Sequence, residues 1–297
     1  MLEYFTSGLI PQLLINGILF GTMYGIAAIG LSMIFGTMRI IFLAQGTIII
    51  FMAYLCFWLF SLFNIDPYLS LIILLPVSWV CGMGIYQLLF KKAVGFSDKN
   101  ISLLIAVGLM FLLESLMSVM WSPNPRGIRT FYTSYAIPFM GLKLSFTRVM
   151  AFVMAILSVT GVTLFLSKTL VGKAIRAASE DMVSAKLIGI SPHRVNRLAF
   201  GMGIGLAGTA GVAVATTYSF DPYFGFVFSL KAMIALALGG ISSIVGAFLG
   251  GILLGVLEST SSFFISGGWS DAITYAVFLT VLMFKPEGLL SRSYKKD

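Results

Sequence analysis

Long apolar segments recur along the whole chain and limit what it can fold into. About 20 consecutive apolar residues are enough for a helix to cross the ~30 Å hydrocarbon core of a bilayer. Segments of this kind follow one another from near Leu13 to near Lys285. Only 10% of the residues are charged, compared with about 25% in a typical soluble domain. The sequence therefore predicts an all-α, polytopic helical membrane protein in which residues 1–297 form a single transmembrane domain.

The apolar pattern predicts about 8–10 membrane spans. Two of the segments, 226–241 and 272–285, are short for a complete crossing and are predicted to be tilted, broken or re-entrant. The glycine pair Gly239-Gly240 favours two segments in its region over one long span, which is the alternative. The predicted spans are 12–37, 40–63, 68–90, 101–121, 149–167, 198–218, 226–241, 244–265 and 272–285.

The distribution of lysine and arginine predicts the orientation. Basic residues concentrate in the cytoplasmic loops of membrane proteins, and most of the 19 in this chain fall on one side when the loop 168–197 is placed in the cytoplasm. The N-terminus is then outside and the C-terminus is cytoplasmic. The polar, proline-containing loop 122–147 becomes an outer loop, in which Arg126 and Arg129 either bind a soluble partner or belong to a plain structured connection.

Glu114 and Lys231 are the ionisable residues that lie most clearly inside predicted spans. A charged side chain in hydrocarbon is costly and usually faces the bundle interior or a water-filled cavity. Two interpretations remain open. The side chains are paired at helix interfaces, or they line a transport path and contact a zwitterionic solute.

Glycines repeat at every fourth position in several spans. Small residues at this spacing let two helices approach closely, so the pattern predicts tight helix packing, or glycines that line a narrow path. The repeats are Gly17, Gly21 and Gly25; Gly201 and Gly205; Gly246 and Gly250; and Gly251 and Gly255.

The loop 168–197 is the longest polar stretch. Residues 172–188 have the periodicity of an amphipathic helix, with Arg176 and Glu180 spaced for an i,i+4 pair. Gly189 suits the position that ends such a helix, and Ser191-Pro192 suits the start of the next one. This helix–glycine–helix elbow is either a helix resting on the membrane surface or a rigid contact for a cytoplasmic partner.

Several functional classes are disfavoured by composition. The basic residues lie at predicted membrane edges, which argues against nucleic-acid binding. His193 is the single histidine, and Cys56 and Cys81 lie inside apolar runs, so a metal centre is not predicted. The chain has no Gly-x-x-x-x-Gly-Lys-Ser/Thr loop to hold phosphates, so it is predicted not to be an enzyme with its own ATPase site.

Three blocks resemble a known family. The first, 172–190, begins Gly-Lys-Ala-Ile-Arg-Ala-Ala-Ser-Glu-Asp; the second, 222–258, contains the Lys-Ala and Gly-Gly pairs of an apolar stretch; the third is Phe-Lys-Pro-Glu-Gly-Leu at 284–289. With these blocks the chain resembles the membrane permease subunits of bacterial branched-chain amino acid ABC importers, of the shorter LivH type. It departs from the family at Phe42, Gln45 and Thr47, where the family usually has Asn, His and Glu.

The resemblance implies a permease subunit that translocates a small polar solute, branched-chain or related amino acids, across the bacterial inner membrane. It implies a periplasmic substrate-binding protein, a second permease subunit of the LivM type that completes a heterodimer, and two cytoplasmic ABC ATPase subunits. ATP is then used by the partner subunits, and no cofactor is expected in this chain.

The resemblance also implies roles for particular residues. The loop 168–197 would be the coupling loop that transmits ATPase movement to the spans. Its coupling candidates are Gly172, Arg176, Ala178, Glu180, Asp181, Gly189 and Ile190. The substrate-path candidates are Gln45, Gly46, Glu114, Lys231, Gly239 and Gly240.

A stand-alone secondary carrier or channel for a small solute is the main alternative function. Broken helices and ionisable residues inside spans also suit a carrier. A carrier does not explain the elbow in the coupling loop.

Overall fold

The computed structural model describes residues 10–94, 100–139, 142–241, 243–264, 269–285 and 288–289. In this part of the chain, seven helices are long and apolar enough to cross a membrane. Two further apolar helices are shorter, and they correspond to the two segments predicted to be short. The predicted polytopic helical fold is therefore confirmed.

The helices follow the predicted spans closely, because the thickness of hydrocarbon fixes the length of each apolar run. A π-helical turn, Tyr86–Phe90, lies inside the third span. The described helices are α1 Ile10–Met38, α2 Gln45–Phe63, α3 Leu71–Ala93, α4 Asn100–Trp121, α5 Phe146–Lys168, α6 Leu170–Glu180, α7 Met182–Leu187, α8 Pro192–Thr217, α9 Phe224–Gly239, α10 Ile244–Phe264 and α11 Trp269–Phe284.

The core of the bundle is built on α1 and α8. In their most apolar windows, 83% of the α1 residues and 89% of the α8 residues are buried, compared with 22% in both α3 and α4. Helix α1 packs along α10, and α8 packs against α1, α2 and α3. Helices α3 and α4 therefore lie at the periphery, where their exposed leucine and phenylalanine side chains are suited to lipid.

Tight glycine packing is confirmed where α1 crosses α10. A Cβ atom added at Gly21 would lie 2.6 Å from the Cα atom of Ile252, and one added at Gly17 would lie 2.7 Å from the Cα atom of Val256. Contacts this short leave no room for a side chain, so the two backbones touch directly. Gly25, Gly251 and Gly255 belong to the same crossing, and the remaining repeated glycines also lie at helix contacts, with Gly201 and Gly205 against Trp79 and Gly246 and Gly250 against Gly239.

The second predicted span began at residue 40, and this boundary was wrong. Helix α1 ends at Met38, Arg39 adopts a left-handed φ of 53°, and α2 begins only at Gln45. Between them, Phe42 packs edge-on against Phe90 and Phe200, with ring centroids 5.7 and 5.0 Å apart. In the segment 39–44, Ile40, Phe42 and Ala44 are apolar because they are buried in protein rather than because they span the membrane.

The loop 122–147, predicted to lie outside, has defined structure in its described residues. It contains an antiparallel hairpin of β1 Ala136–Phe139 and β2 Leu142–Ser145. Arg126 turns inward: its Nη2 donates to the Trp121 carbonyl at 2.7 Å, and its guanidinium lies 5.4 Å from the Phe57 ring. Of the two arginines considered for partner binding, Arg129 is the exposed one.

Candidate translocation and coupling sites

The loop 168–197, which we call the coupling loop after its predicted role, contains two helices where one was predicted. Helix α6 ends at Glu180 and α7 begins at Met182, because Asp181 adopts an extended conformation and caps α7. Its Oδ1 accepts a hydrogen bond from the Val183 N–H at 2.8 Å, and its Oδ2 accepts one from the Ser184 hydroxyl. These bonds, the hydroxyl first, lower the pKa of the Asp181 carboxyl. The amphipathic pattern predicted one continuous helix because the spacing of apolar residues does not reveal a capping residue in the middle of the run.

The end of the elbow is as predicted. Gly189 has a φ of 86°. Its N–H donates to the Lys186 carbonyl, and the Ile190 N–H donates to the Ala185 carbonyl, both at 3.0 Å. This is a Schellman motif, which requires the left-handed residue that glycine supplies. Pro192 then occupies the first turn of α8 after the cap residue Ser191, so the elbow joins α8 through a fixed turn.

The coupling loop has one face against the protein and one face open. Its buried side is formed by small and apolar residues, Gly172, Ile175, Ala178 and Ala185. On its open side, large apolar side chains lie outside the membrane spans and are highly exposed: Leu170 by 85%, Val183 by 69%, Leu187 by 84% and Ile188 by 75%.

The predicted polar candidates of the coupling loop also lie on the open side. Arg176, Glu180 and Asp181 are exposed. The ion pairs among the described residues all involve Lys231, so the suggested pair between Arg176 and Glu180 does not form. Val183 and Leu187 were not predicted to be surface residues, since apolar residues in an amphipathic helix are normally assigned to its buried face.

The start of α2 is buried inside the bundle. A Cβ atom added at Gly30 would lie 2.5 Å from Nε2 of Gln45. Gly30 lies about 12 Å along the axis of α1 from its end at Met38. The segment 39–44 therefore folds back into the bundle and places the N-terminus of α2 within it. A helix N-terminus carries partial positive charge and favours negative groups.

Gln45 and Gly46 anchor this helix start. Gln45 is fully buried; its Nε2 donates to the Gly203 carbonyl at 3.1 Å, and its Oε1 has no hydrogen-bond partner among the described residues. The Gly46 N–H donates to Oγ of Ser229 at 2.7 Å, and that hydroxyl donates to the Leu43 carbonyl at 2.6 Å. Ser229 was not predicted as a site residue, because its only signal in the sequence is a hydroxyl group in an apolar run.

Glu114 is near this helix start, although it belongs to the peripheral helix α4. Glu114 is 7% exposed, and its Oε1 is 3.5 Å from Oγ1 of Thr47, at the long limit of a hydrogen bond. Gln45, Gly46 and Glu114 are thus three predicted path residues that the fold brings into one region, with Thr47 between them.

Lys231 lies elsewhere, in an ion cluster between α9, α10 and α11. Its Nζ is 2.6 Å from Oε1 of Glu258 and 3.1 Å from Oδ1 of Asp271, and 5.6 Å from the centroid of the Tyr24 ring. The Lys231 side chain is 9% exposed, whereas those of Glu258 and Asp271 are 24% and 45% exposed. Lys231 is therefore paired at a helix interface. Asp271 was missed because its contact with Lys231 exists only in the folded bundle.

Gly239 and Gly240 end α9 at a crowded turn. Gly240 has a φ of 99°, a conformation that favours glycine. A Cβ atom added at Gly288 would lie 2.6 Å from the Gly240 nitrogen, and the Leu289 N–H donates to the Leu238 carbonyl at 2.8 Å. The end of the third block thus packs on this turn; its residues 286–287 lie outside the described residues.

A comparison with known families agrees with this architecture. The model of a family described as "Branched-chain amino acid transport system / permease component" matches residues 13–282. The chain belongs to this family. It is therefore a multi-pass membrane protein and a permease component of a transport system.

Individual relatives cover nearly the whole chain. The high-affinity branched-chain amino acid transport system permease protein BraD of Pseudomonas aeruginosa is 30% identical over 294 residues, 95% of each chain. LivH of Salmonella typhimurium, with the same description, is 30% identical over 296 residues, again 95% of each. The autoinducer 2 import system permease protein LsrC of an Enterobacter species is 32% identical over 126 residues, 40% of this chain and 37% of its own. No solved structure matches the chain.

Proposed function

We propose that this chain is a membrane subunit of a binding-protein-dependent ABC importer for branched-chain or related amino acids. The family membership and the two relatives of the same description support the solute class. In this proposal residues 1–297 form a single permease domain in the bacterial inner membrane, with the N-terminus outside and the C-terminus in the cytoplasm. Most lysines and arginines then lie inside.

The observation that carries the proposal is the open face of the coupling loop. It combines exposed Val183, Leu187 and Ile188 with exposed Arg176 and Glu180. Exposed apolar side chains next to charged ones, outside the spans, are typical of a protein-binding surface. We assign this surface to one of two cytoplasmic ABC ATPases.

The coupling mechanism follows from the connections of the elbow. Helix α6 follows α5 after Thr169, whose Oγ1 accepts the Gly172 N–H at 2.9 Å, and α7 joins α8 through Gly189 and Pro192. Movement of a docked ATPase would therefore tilt α5 and the central helix α8 as rigid bodies. ATP would be bound and hydrolysed by the ATPases, with no cofactor in this chain.

The proposed path runs beside α9 and opens between this chain and a LivM-type second permease. Gln45, Gly46 and Glu114 would face it where α2 begins, because a helix N-terminus can bind a solute carboxylate. Lys231 and Gly239 would line the path from other parts of α9, and Gly240 would line it just after α9 ends. Since Gln45 is fully buried, the described conformation is closed at this point. A periplasmic binding protein would deliver the amino acid.

Proteoliposomes that contain both permeases and both ATPases test the proposal. With binding protein outside and ATP inside, we expect uptake of radiolabelled leucine, isoleucine or valine. Glu180→Lys is expected to weaken ATPase docking, seen as loss of the ATPases during purification, whereas Lys143→Glu in the outer hairpin should retain them. Uptake by this chain without ATPases would instead favour a stand-alone carrier or channel.

A further inference from the structure

The coupling loop also forms one wall of a cleft of about 670 Å³, and Glu180 and Val183 of its open face contribute to the lining. We call it the coupling-loop cleft. One wall is the α6–α7 junction, and the opposite wall is formed by the end of α1 and the start of α8. Its volume falls within the range of about 300–1,000 Å³ for small-molecule sites. It is separate from the start of α2 and from the Lys231 cluster, whose residues do not line it.

A buried amide marks this cleft as a binding site. Asn196 lines it and is 2% exposed, and Oδ1 of Asn196 has no hydrogen-bond partner among the described residues. The Tyr86 hydroxyl forms a hydrogen bond with the Asn196 side chain that does not involve Oδ1, and it also shares a hydrogen bond with Nδ1 of His193 at 3.3 Å. Because a buried acceptor without a donor is costly, Asn196 indicates a ligand that carries an N–H or O–H group.

The charges around the cleft select a zwitterion. Arg39 and Lys186 line it with positive charge, and Glu180 and Asp181 line it with negative charge. A simple anion would meet the two carboxylates, and a simple cation would meet the two basic groups. A molecule that carries both an ammonium and a carboxylate can place its ammonium near the two acidic groups and its carboxylate near the two basic groups. Val94 is an apolar residue of the lining, which suits a small apolar side chain on that molecule.

We propose that the coupling-loop cleft binds a transported amino acid from the cytoplasmic side and thereby inhibits transport. The identity of the amino acid rests on the proposed function. A ligand that bridges the two walls would tie α6 and α7 to α1 and α8, and would favour the conformation in which the cleft has this shape. Accumulated product would then slow its own import.

Gly36 offers a way to fill the cleft. A Cβ atom added at Gly36 would meet only the Ser179 Cβ atom, at 3.9 Å, so Gly36→Leu places its side chain in open space. Gly108→Leu is the matched control, because Gly108 on α4 is exposed and has nothing within 4 Å of an added Cβ atom. Asn196→Leu, at the start of α8 on the same wall as Gly36, removes the acceptor oxygen.

The experiment uses proteoliposomes of the complete importer with the cytoplasmic face inside and increasing L-leucine in the lumen. In the wild type and in Gly108→Leu, lumenal leucine is expected to lower the initial rates of uptake and ATP hydrolysis. In Gly36→Leu and Asn196→Leu, the half-inhibitory concentration is expected to rise at least about fivefold, the lower range of allosteric coupling.

Vesicles without lumenal leucine separate the two proposals. Uptake by these empty vesicles reports the proposed function and is expected to be alike for Gly36→Leu and Gly108→Leu. Suppose that empty vesicles import leucine. If lumenal leucine then does not inhibit uptake, or inhibits the wild type and both cleft variants equally, the inhibitory site is refuted and the proposed importer function is retained. If empty wild-type vesicles do not import leucine, isoleucine or valine, the proposed function is refuted and the inhibitory site falls with it.

Discussion

Replacing Lys231 with methionine removes the only cation from the ion cluster of α9, α10 and α11. Lys231→Met has similar length, but it leaves the carboxylates of Glu258 and Asp271, which now lie 2.6 and 3.1 Å from the ammonium, without that charge. Breaking a buried ion pair typically costs about 3–5 kcal/mol. Since Glu258 and Asp271 keep 24% and 45% exposure, we expect the lower end, about 3 kcal/mol.

A loss of about 3 kcal/mol lowers the folding equilibrium roughly 100-fold. We expect a clear fall in the thermal unfolding midpoint of the detergent-purified protein, measured by fluorescence-detected size exclusion, and a lower yield. Lys143→Met, at an exposed lysine of the outer hairpin, is the control and should leave both unchanged.

A triple variant separates stability from transport. Combining Lys231→Met with Glu258→Gln and Asp271→Asn removes all the charges and should recover most of the stability, because neutral groups leave no uncompensated ion. If Lys231 also contacts solute, the triple variant will fold but transport poorly. A wild-type melting midpoint for Lys231→Met alone would refute the energetic reasoning.

Three further variants test the packing, the cap and the helix start. Gly21→Leu should abolish the monodisperse folded peak, since an added Cβ atom would lie 2.6 Å from a backbone atom of α10, whereas Gly108→Leu should retain it. Asp181→Ala should raise hydrogen exchange at the amides of α7, with Asp181→Asn closer to wild type; equal exchange in all three would contradict the cap. Because the pKa of Asp181 is lowered, its charged cap should persist at about pH 4, near the ordinary aspartate value, and be lost as pH falls through the lowered pKa. Ser229→Ala should lower the melting midpoint by removing the bonds to Gly46 and Leu43, and an unchanged midpoint would contradict that role.

The helical bundle could be predicted because hydrocarbon thickness acts on each apolar run separately. The Schellman turn at Gly189 could be predicted for a similar reason, since it depends on local backbone conformation. The start of α2 could not be predicted. Phe42 packs against Phe90 and Phe200 inside the protein, and an apolar pattern does not show whether a residue is buried in protein or faces lipid.

Which charged residues pair could not be predicted from the sequence either. Lys231 and Asp271 meet only because α9 and α11 both pack near α10, and no local pattern encodes that meeting. Likewise, the extended backbone of Asp181 ends α6 and its side chain caps α7, within an amphipathic run whose periodicity continues across both helices. The roles of Gln45, Gly46 and Glu114 stay predictions, although the fold gathers them at one helix start.

The central claim is that the coupling loop docks ATPase subunits, and affinity purification of the tagged chain from native membranes in mild detergent tests it most directly. Mass spectrometry of the purified complex should identify two Walker-type ABC ATPases and a second permease, and Glu180→Lys should lose the ATPases while keeping the second permease. A folded chain that purifies alone in several detergents, and that transports without ATP, would contradict the account.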